Sequence, residues 1–295
     1  MEKLSIACFW LALSATSLAV LLYWAYALGV RVALRRLATA PGASMTVATL
    51  EKLPESIGRA ASLSSWTAAF FLAVSMFARW RDTGHAPYSN MWEFTVAFAG
   101  GVIAFHILFE HWYKQRTLGA FLQPLTLAML ATAAAFFPSD PKPLVPALQS
   151  RGILAAHVGT MTLAYASLSV SFGAALMYLV QGGSRNRFPR LPKSGLLDEI
   201  AYKSVILGFP ILAIGIALGA YWGNSAWGRY WGWDPKETSA LVTWLIYGVY
   251  LHMRALRSWS GTRSALMLVG AYGAVLFTYF AVNLWVSGLH SYAGV

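Results

Sequence analysis

The stretch Tyr221-Trp-Gly-Asn-Ser-Ala-Trp-Gly-Arg-Tyr-Trp-Gly-Trp-Asp-Pro-Lys236 stands between two long apolar runs and holds four of the chain's 13 Trp, two further aromatics and three Gly. A single Trp at a membrane surface is ordinary, because indole rings settle at headgroup level. Four of them in twelve residues, spaced by Gly, are not. Carried on a glycine-bent loop, Trp222, Trp227, Trp231 and Trp233 make a flat apolar platform at the water boundary. Such a platform suits a large planar ligand whose rim is partly polar.

On both sides of this segment the chain is strongly apolar. Its 295 residues are 58% hydrophobic and 11% charged, whereas soluble domains carry roughly 25% charged residues. Apolar runs of about 20 residues recur, each long enough to cross a bilayer as a helix. They predict an all-α polytopic membrane protein of about eight spans, near 4–29, 61–79, 91–110, 117–137, 152–180, 200–221, 237–254 and 264–287. The first run is too long for the apolar core of a cleavable leader and reads as a span. We divide the chain into a first span with a basic loop, 1–60, and a membrane domain, 61–295, whose Trp-rich segment 221–237 joins spans six and seven.

An even number of spans places both termini on one side, and Lys and Arg decide which. The loops after spans one, three, five and seven carry fifteen: Arg31, Arg35, Arg36, Lys52 and Arg59; Lys114 and Arg116; Arg185, Arg187, Arg190, Lys193 and Lys203; Arg254, Arg257 and Arg263. The opposite side carries seven, Lys3, Arg79, Arg81, Lys142, Arg151, Arg229 and Lys236. By the positive-inside rule the first set is cytoplasmic, so both termini and the Trp loop face outward. The net charge of +11 is therefore a matter of orientation and not a nucleic-acid footprint. The outward loops Gly84–Glu93 and Phe137–Pro143 are rich in Pro or aromatics, while the inward loops are plain basic linkers. Function is expected on the outer face.

Six His remain as candidates for chemistry; ionisable groups inside a membrane are costly and usually functional. His157 lies near the outer end of span five among small residues, Leu154-Ala-Ala-His-Val-Gly-Thr160, which admit a flat group close to the helix. His290 follows span eight in Gly288-Leu-His-Ser-Tyr-Ala-Gly294. Both fall at the depth of the Trp loop. Two imidazoles beside an aromatic plate fit bis-His haem, since neutral imidazole is an axial ligand of haem iron. The plainer alternative is that each His hydrogen-bonds a neighbouring helix. His252 lies 15 residues after Glu237, about 22 Å deeper on one helix. It needs a separate site, with His106 or a His of another chain as second ligand; otherwise it is an interfacial His beside Arg254. His85 reads as an incidental loop residue.

The Trp segment also has a structural reading. Asp234 suits the N-cap of span seven, Pro235 its first position and Glu237 the third position of a capping box, which fixes the angle between loop and helix. Arg229 and Lys236 are the nearest cations and can pair with haem propionates or simply be solvated. The single cysteine, Cys8, excludes an internal disulfide, a Cys-x-x-Cys redox pair and covalent haem attachment on this chain. No phosphate loop, Ser/His/Asp arrangement or carboxylate pair occurs. Acidic residues hardly enter the spans, which argues against a proton-driven transporter.

Taken together, Trp222–Glu237 resembles the WWD signature of haem-handling proteins in cytochrome c biogenesis. Within them the chain resembles the CcsA (ResC) family of System II cytochrome c synthases. The supporting segments are Pro87–Phe94, Ile246–His252 and Gly288–Tyr292, and the similarity runs from about residue 60 onward. One departure is Trp92, where a smaller aromatic is expected. The resemblance implies that His157 and His290 are the outer haem ligands and that His252 is a transmembrane haem ligand. The partner of His252 would then be a His of a companion subunit, CcsB (ResB). It implies haem b as substrate and cofactor, held by the WWD residues with its vinyl edge toward the Cys-x-x-Cys-His motif of apocytochrome c. It also implies a holocytochrome c synthase in the bacterial inner membrane, served by thiol-reducing proteins. The alternatives are a haem-delivery transporter feeding a haem chaperone and a haem-containing quinone oxidoreductase subunit, which needs no Trp loop.

Overall fold

A computed structural model describes residues 1–28, 47–140, 151–256 and 259–290. Arg31, Arg35, Arg36, Lys142, Arg257, Ser291 and Tyr292 lie outside the described residues, as do the side chains of Lys52 and Arg151. Eight long helices follow in order: α1 Glu2–Leu28, α2 Val47–Thr83, α3 Met91–Tyr113, α4 Gly119–Phe136, α5 Arg151–Val180, α6 Ser194–Trp227, α7 Pro235–Ala255 and α8 Thr262–Leu284. Among the described residues there is no strand. Helices satisfy every backbone N–H and C=O internally, which lipid cannot do for them.

The eight helices fall on the eight expected spans, so the chain is a multi-pass membrane protein. Seven are both long and apolar enough to cross a bilayer. The exception is α7, where Trp244, Tyr247, Tyr250, His252 and Arg254 dilute the aliphatic residues. Helix α6 runs 34 residues, about 51 Å at 1.5 Å per residue, and so outreaches a hydrocarbon core of about 30 Å. It ends at Gly228, which takes the left-handed conformation (φ 72°) while its N–H donates to the Asn224 carbonyl at 3.0 Å. Only a residue without Cβ adopts that cap at little cost.

Helix α5 packs along α6, α1 along α2, and α3 against α4, α5 and α2. One continuous core joins Phe9 of α1, Trp92 and Phe98 of α3, Leu168 of α5, Leu212 of α6, Tyr247 of α7 and Tyr272 of α8. Helix α8 contains a π-helical turn, Phe277–Ala281, a distortion often found at functional sites.

Two residues read from the sequence as outward loop features form a buried ion pair instead. Helix α2 continues through Arg79, whose Nε donates to Glu93 Oε1 at 2.8 Å with both side chains 0% exposed. Glu93 Oε2 accepts from the Ser89 amide and hydroxyl, both at 2.7 Å, and the Arg79 guanidinium lies 4.9 Å from the Trp92 ring centroid. The wide ring of Trp92 is thus used as a seat for Arg79 and packs on Phe9 of α1 at 5.0 Å. Removing one partner of a buried pair strands the other charge at a cost of about 3–5 kcal/mol. Arg79→Ala should therefore lower thermal stability sharply in detergent, whereas the exposed Arg59→Ala should not; equal melting temperatures would show that the pair holds nothing.

The described ends of the chain share one end of the bundle. The Met1 amine lies 3.6 Å from Asp82 near the C-terminus of α2, whose following loop leads into α3. His290 reaches Asp234 at the start of α7. We call this the Trp end and the other the basic end.

Candidate functional site

A cavity at the Trp end is walled by α3, α5, α6, α7 and α8 and by the segment after α8. It holds about 1020 Å³ of atom-free space, its open mouth included. Phe94 and Phe98 of α3 and Met161 and Tyr165 of α5 form one wall, and Trp222, Trp227 and Trp231 another. His157 and His290 both open onto it, as do Lys236, Glu237 and Asn283.

Each imidazole is oriented through Nδ1. His157 Nδ1 donates to the Gly215 carbonyl of α6 at 2.8 Å, which assigns the proton to Nδ1 and the lone pair to Nε2. The ring lies directly on α6, because a Cβ on Gly219 would stand 2.6 Å from His157 Cε1. His290 Nδ1 donates to Asp234 Oδ1 at 2.7 Å. Asp234 Oδ2 accepts the Leu289 amide at 2.6 Å, and a Cβ on Gly288 would lie 2.5 Å from that same oxygen. The close approach of this segment to the cap thus requires Gly288.

Asp234 serves two structures at once. It is the N-cap of α7, accepting the Lys236 amide at 2.9 Å, while Glu237 Oε2 accepts the Asp234 and Gly232 amides at 3.1 and 2.8 Å. The expected capping box is present, with Pro235 in the first turn. Burial works against the Asp234 charge, but hydrogen bonds from His290 and from the Lys236 and Leu289 amides outweigh it and hold the carboxyl at about 2. Burial pushes the His290 pKa down against the pull of Asp234. Burial likewise lowers Lys236 to about 8, opposed by Asp234, and its Nζ donates to Asn283 Oδ1.

The Trp residues occupy different places from those expected. Trp222 and Trp227 are helical, because α6 runs on to Gly228 rather than ending near Tyr221. Trp222 is 1% exposed and lies parallel to His157 (9°, centroids 6.1 Å), 5.9 Å from the His290 ring. Trp227 meets Trp222 edge-on at 4.7 Å and His290 at 4.9 Å. Trp231 lines the cavity, and Trp233 stands against it at 5.7 Å, 70% exposed. Trp233 holds a left-handed backbone (φ 56°), a strained state for a bulky residue. The plate is therefore two helical indoles inside and two loop indoles at the rim.

The cavity's lining of two imidazoles and three indoles suits a large planar ligand. Metal-ligating His characteristically commits its other nitrogen to a carbonyl or carboxylate, as both rings do here. Trp222 Nε1 and Tyr165 Oη are buried at the cavity without a hydrogen-bond partner, a cost that a polar ligand rim relieves. Among the described residues no group of three or more His, Cys, Asp and Glu is arranged to hold a metal ion.

A family model described as cytochrome c assembly protein matches residues 88–290. The cytochrome c biogenesis protein CcsA of Synechococcus sp. (strain JA-3-3Ab) is 36% identical over 281 residues, covering 75% of this chain and 81% of that one. The chain belongs to the CcsA family of cytochrome c assembly proteins. The CcsA of Guillardia theta is 34% identical over 253 residues, covering 78% and 84%. A solved structure of the cytochrome c haem lyase CcmF superposes with a TM-score of 0.62 at 17% identity, covering 94% of this chain and 46% of that one. What the two share is the fold, and this chain spans about half of the longer protein.

Other singled-out residues of this CcsA-family chain fall outside the cavity. Arg229 is exposed and packs over Gly232, where a Cβ would stand 2.8 Å from its Nε. Lys236 is the cation inside. His252 is exposed on α7, in line with the exposed Val242, Leu245 and Val249 at helical spacing. Two residues on, Arg254 makes a bidentate pair with Asp198 of α6, Nη1 to Oδ1 at 3.0 Å and Nη2 to Oδ2. His106 is fully buried and engaged by Gln123 and Glu110, so the two residues do not share a surface. His85 is 8% exposed with Nδ1 on the Ala86 carbonyl at 2.9 Å. The sequence reading missed Gly219, Tyr165 and Asn283. An apolar helix with Gly at 215 and 219, one turn apart, was the available sign that a ring lies against α6.

Proposed function

We propose that this chain is the haem-handling subunit of a cytochrome c synthase, moving haem outward across the bacterial inner membrane and holding it for attachment to apocytochrome c. Haem is the substrate. Each of its two vinyl groups takes the S–H of one thiol of the Cys-x-x-Cys-His motif across its double bond, forming a thioether without loss of atoms. The chain needs no acid–base residue for this; it supplies position and a water-poor wall.

One observation carries the reading: His157 and His290 open onto one Trp-walled cavity, each with Nδ1 already committed. Nε2 of each ring then bears the lone pair that binds iron. Trp222 lies beside both rings, and Lys236, in place of the Arg229 also considered, is the cation for a propionate. The Trp end faces the periplasm in this reading, and the exposed His252 serves a second haem with a ligand from a CcsB-type subunit. Exposure of His252 among aliphatic residues supports a ligand from outside the chain.

The test is reconstitution of this chain with its companion subunit, reduced apocytochrome c and haem. The expected product resists acid–acetone extraction, as thioether-linked haem does, and its yield falls to background with His157→Gly or His290→Gly. Transfer of haem only to a soluble chaperone, without thioether formation, would favour the delivery reading instead. Haem that stays on the chain through turnover would favour a quinone oxidoreductase subunit.

A further inference from the structure

We propose that the basic end carries a second binding site, a polar pocket between α1, α2 and α3 that takes the oxyanion head of an amphiphile, a carboxylate or phosphate on an apolar body. The pocket holds about 690 Å³ of atom-free space with its mouth and is lined by Tyr23, Ser62, Trp66, Glu110, Lys114 and Arg116, among others. It belongs neither to the Trp-end cavity nor to the surface that carries His252, and it does not depend on the reading of either.

At its floor five side chains close a ring of polar contacts. Gln123 Nε2 donates to Ser65 Oγ at 2.9 Å and to His106 Nδ1 at 3.0 Å. The His106 proton is thereby assigned to Nε2, 3.3 Å from Glu110 Oε2. Tyr23 Oη donates to the same oxygen at 2.6 Å, and Ser65 Oγ returns to Tyr23 Oη at 3.4 Å. The Tyr23 ring is seated against α4, where a Cβ on Gly119 would lie 2.5 Å from it. The network gathers on Glu110. It fixes Glu110 and supplies its hydrogen bonds, with Ser62 Oγ donating to Oε1.

Glu110 therefore does not need the cations beside it. Arg116 makes only a long ion pair with Glu110, Nε to Oε1 at 3.9 Å and beyond hydrogen-bond range, so its N–H fork is not committed to that carboxylate and can take a bidentate oxyanion. The stem is pinned, since a Cβ on Gly58 would meet Arg116 Cδ at 3.0 Å and the Tyr26 ring at 2.9 Å. Lys114 caps α3 in the left-handed region (φ 55°), a backbone state that bulky residues adopt only under constraint. Arg116 and the exposed Lys114 thus both line the mouth, above a Glu110 that accepts from Tyr23 and Ser62. Trp66, 60% exposed, and Ile107 give the mouth an apolar side toward lipid. An oxyanion on an apolar body matches both halves.

The ligand can be a lipid phosphate or a porphyrin carboxylate, and the probes separate them. The full chain, carrying His157→Gly to silence the Trp-end cavity, is placed in phosphatidylcholine nanodiscs. Retention of phosphatidylglycerol is read by native mass spectrometry, and binding of haem is compared with that of its dimethyl ester. The expected result is a preference for at least one charged probe over its neutral counterpart. Arg116→Gln with Lys114→Gln should weaken that binding by about tenfold or more, while Arg187→Gln, a loss of charge on an exposed loop at the same end, leaves it unchanged. Preference for phosphatidylglycerol alone identifies a lipid; preference for haem over its ester identifies the porphyrin. Equal binding of charged and neutral probes by the parent overturns the proposal, whatever the variants do. So does a double variant that binds as Arg187→Gln does.

Discussion

Replacing Asp234 by Ala is expected to damage the chain twice, and the two effects are separable. As an N-cap its loss costs about 0.5–2 kcal/mol of stability, read as a lower melting temperature. As the partner of His290 Nδ1 and of the Leu289 amide it sets the angle of that imidazole. Loss of an orienting carboxylate behind a ligating His typically weakens affinity about 10–100-fold. Asp234→Ser isolates the second effect, because Ser caps a helix nearly as well as Asp but is too short and uncharged to hold His290. Asp234→Ser should therefore melt close to the parent and bind haem more than tenfold more weakly. If it binds haem like the parent, Asp234 is a cap and nothing more.

Gly219→Leu should act as strongly on the other side of the cavity. The His157 ring occupies the space that a side chain on Gly219 would fill, with Cε1 at 2.6 Å and Nδ1 at 2.9 Å from a Cβ there. The two helices pack as closely one turn away, where a Cβ on Gly215 would lie 2.7 Å from Met161 Sδ of α5. The ring must leave, and its bond to the Gly215 carbonyl with it. Glycine in a helix interior is disfavoured by about 1 kcal/mol, so Leu here should keep or raise helix stability while abolishing haem binding at this site. Gly270, whose Cβ position meets no atom within 4 Å, is the control: Gly270→Leu should leave binding intact. Haem bound normally by Gly219→Leu would mean that His157 does not work from the position seen.

Much of the fold was legible because lipid imposes one rule: an apolar run of sufficient length becomes a helix. Seven of the eight helices follow from it, and the start of the eighth, α7, is marked instead by the cap at Asp234, which is written in five consecutive residues. Helix ends were less legible. Hydropathy marks where lipid stops and not where the helix stops, so α6 was cut at Tyr221 although it continues to Trp227. That error turned two helical indoles into loop residues.

Long-range pairing was not legible at all. Asp234 and His290 are 56 residues apart, and no local period connects them; only the depth argument placed His290 beside the Trp segment. Arg79 counted as one more outward charge because its partner Glu93 lies across a loop. His106 stood as one of two candidate partners for His252, and the structure gives it to Gln123 and Glu110 in a ring formed by four helices.

The central claim is that His157 and His290 bind one haem iron at the Trp end. Its most direct measurement is the optical and electron paramagnetic resonance spectrum of the haem-loaded chain, purified with His252→Ala so that the Trp-end cavity alone contributes. The account predicts a low-spin bis-imidazole signal that is lost in His157→Gly and in His290→Gly and restored in each by added imidazole. A low-spin signal that persists unchanged in either variant would contradict it.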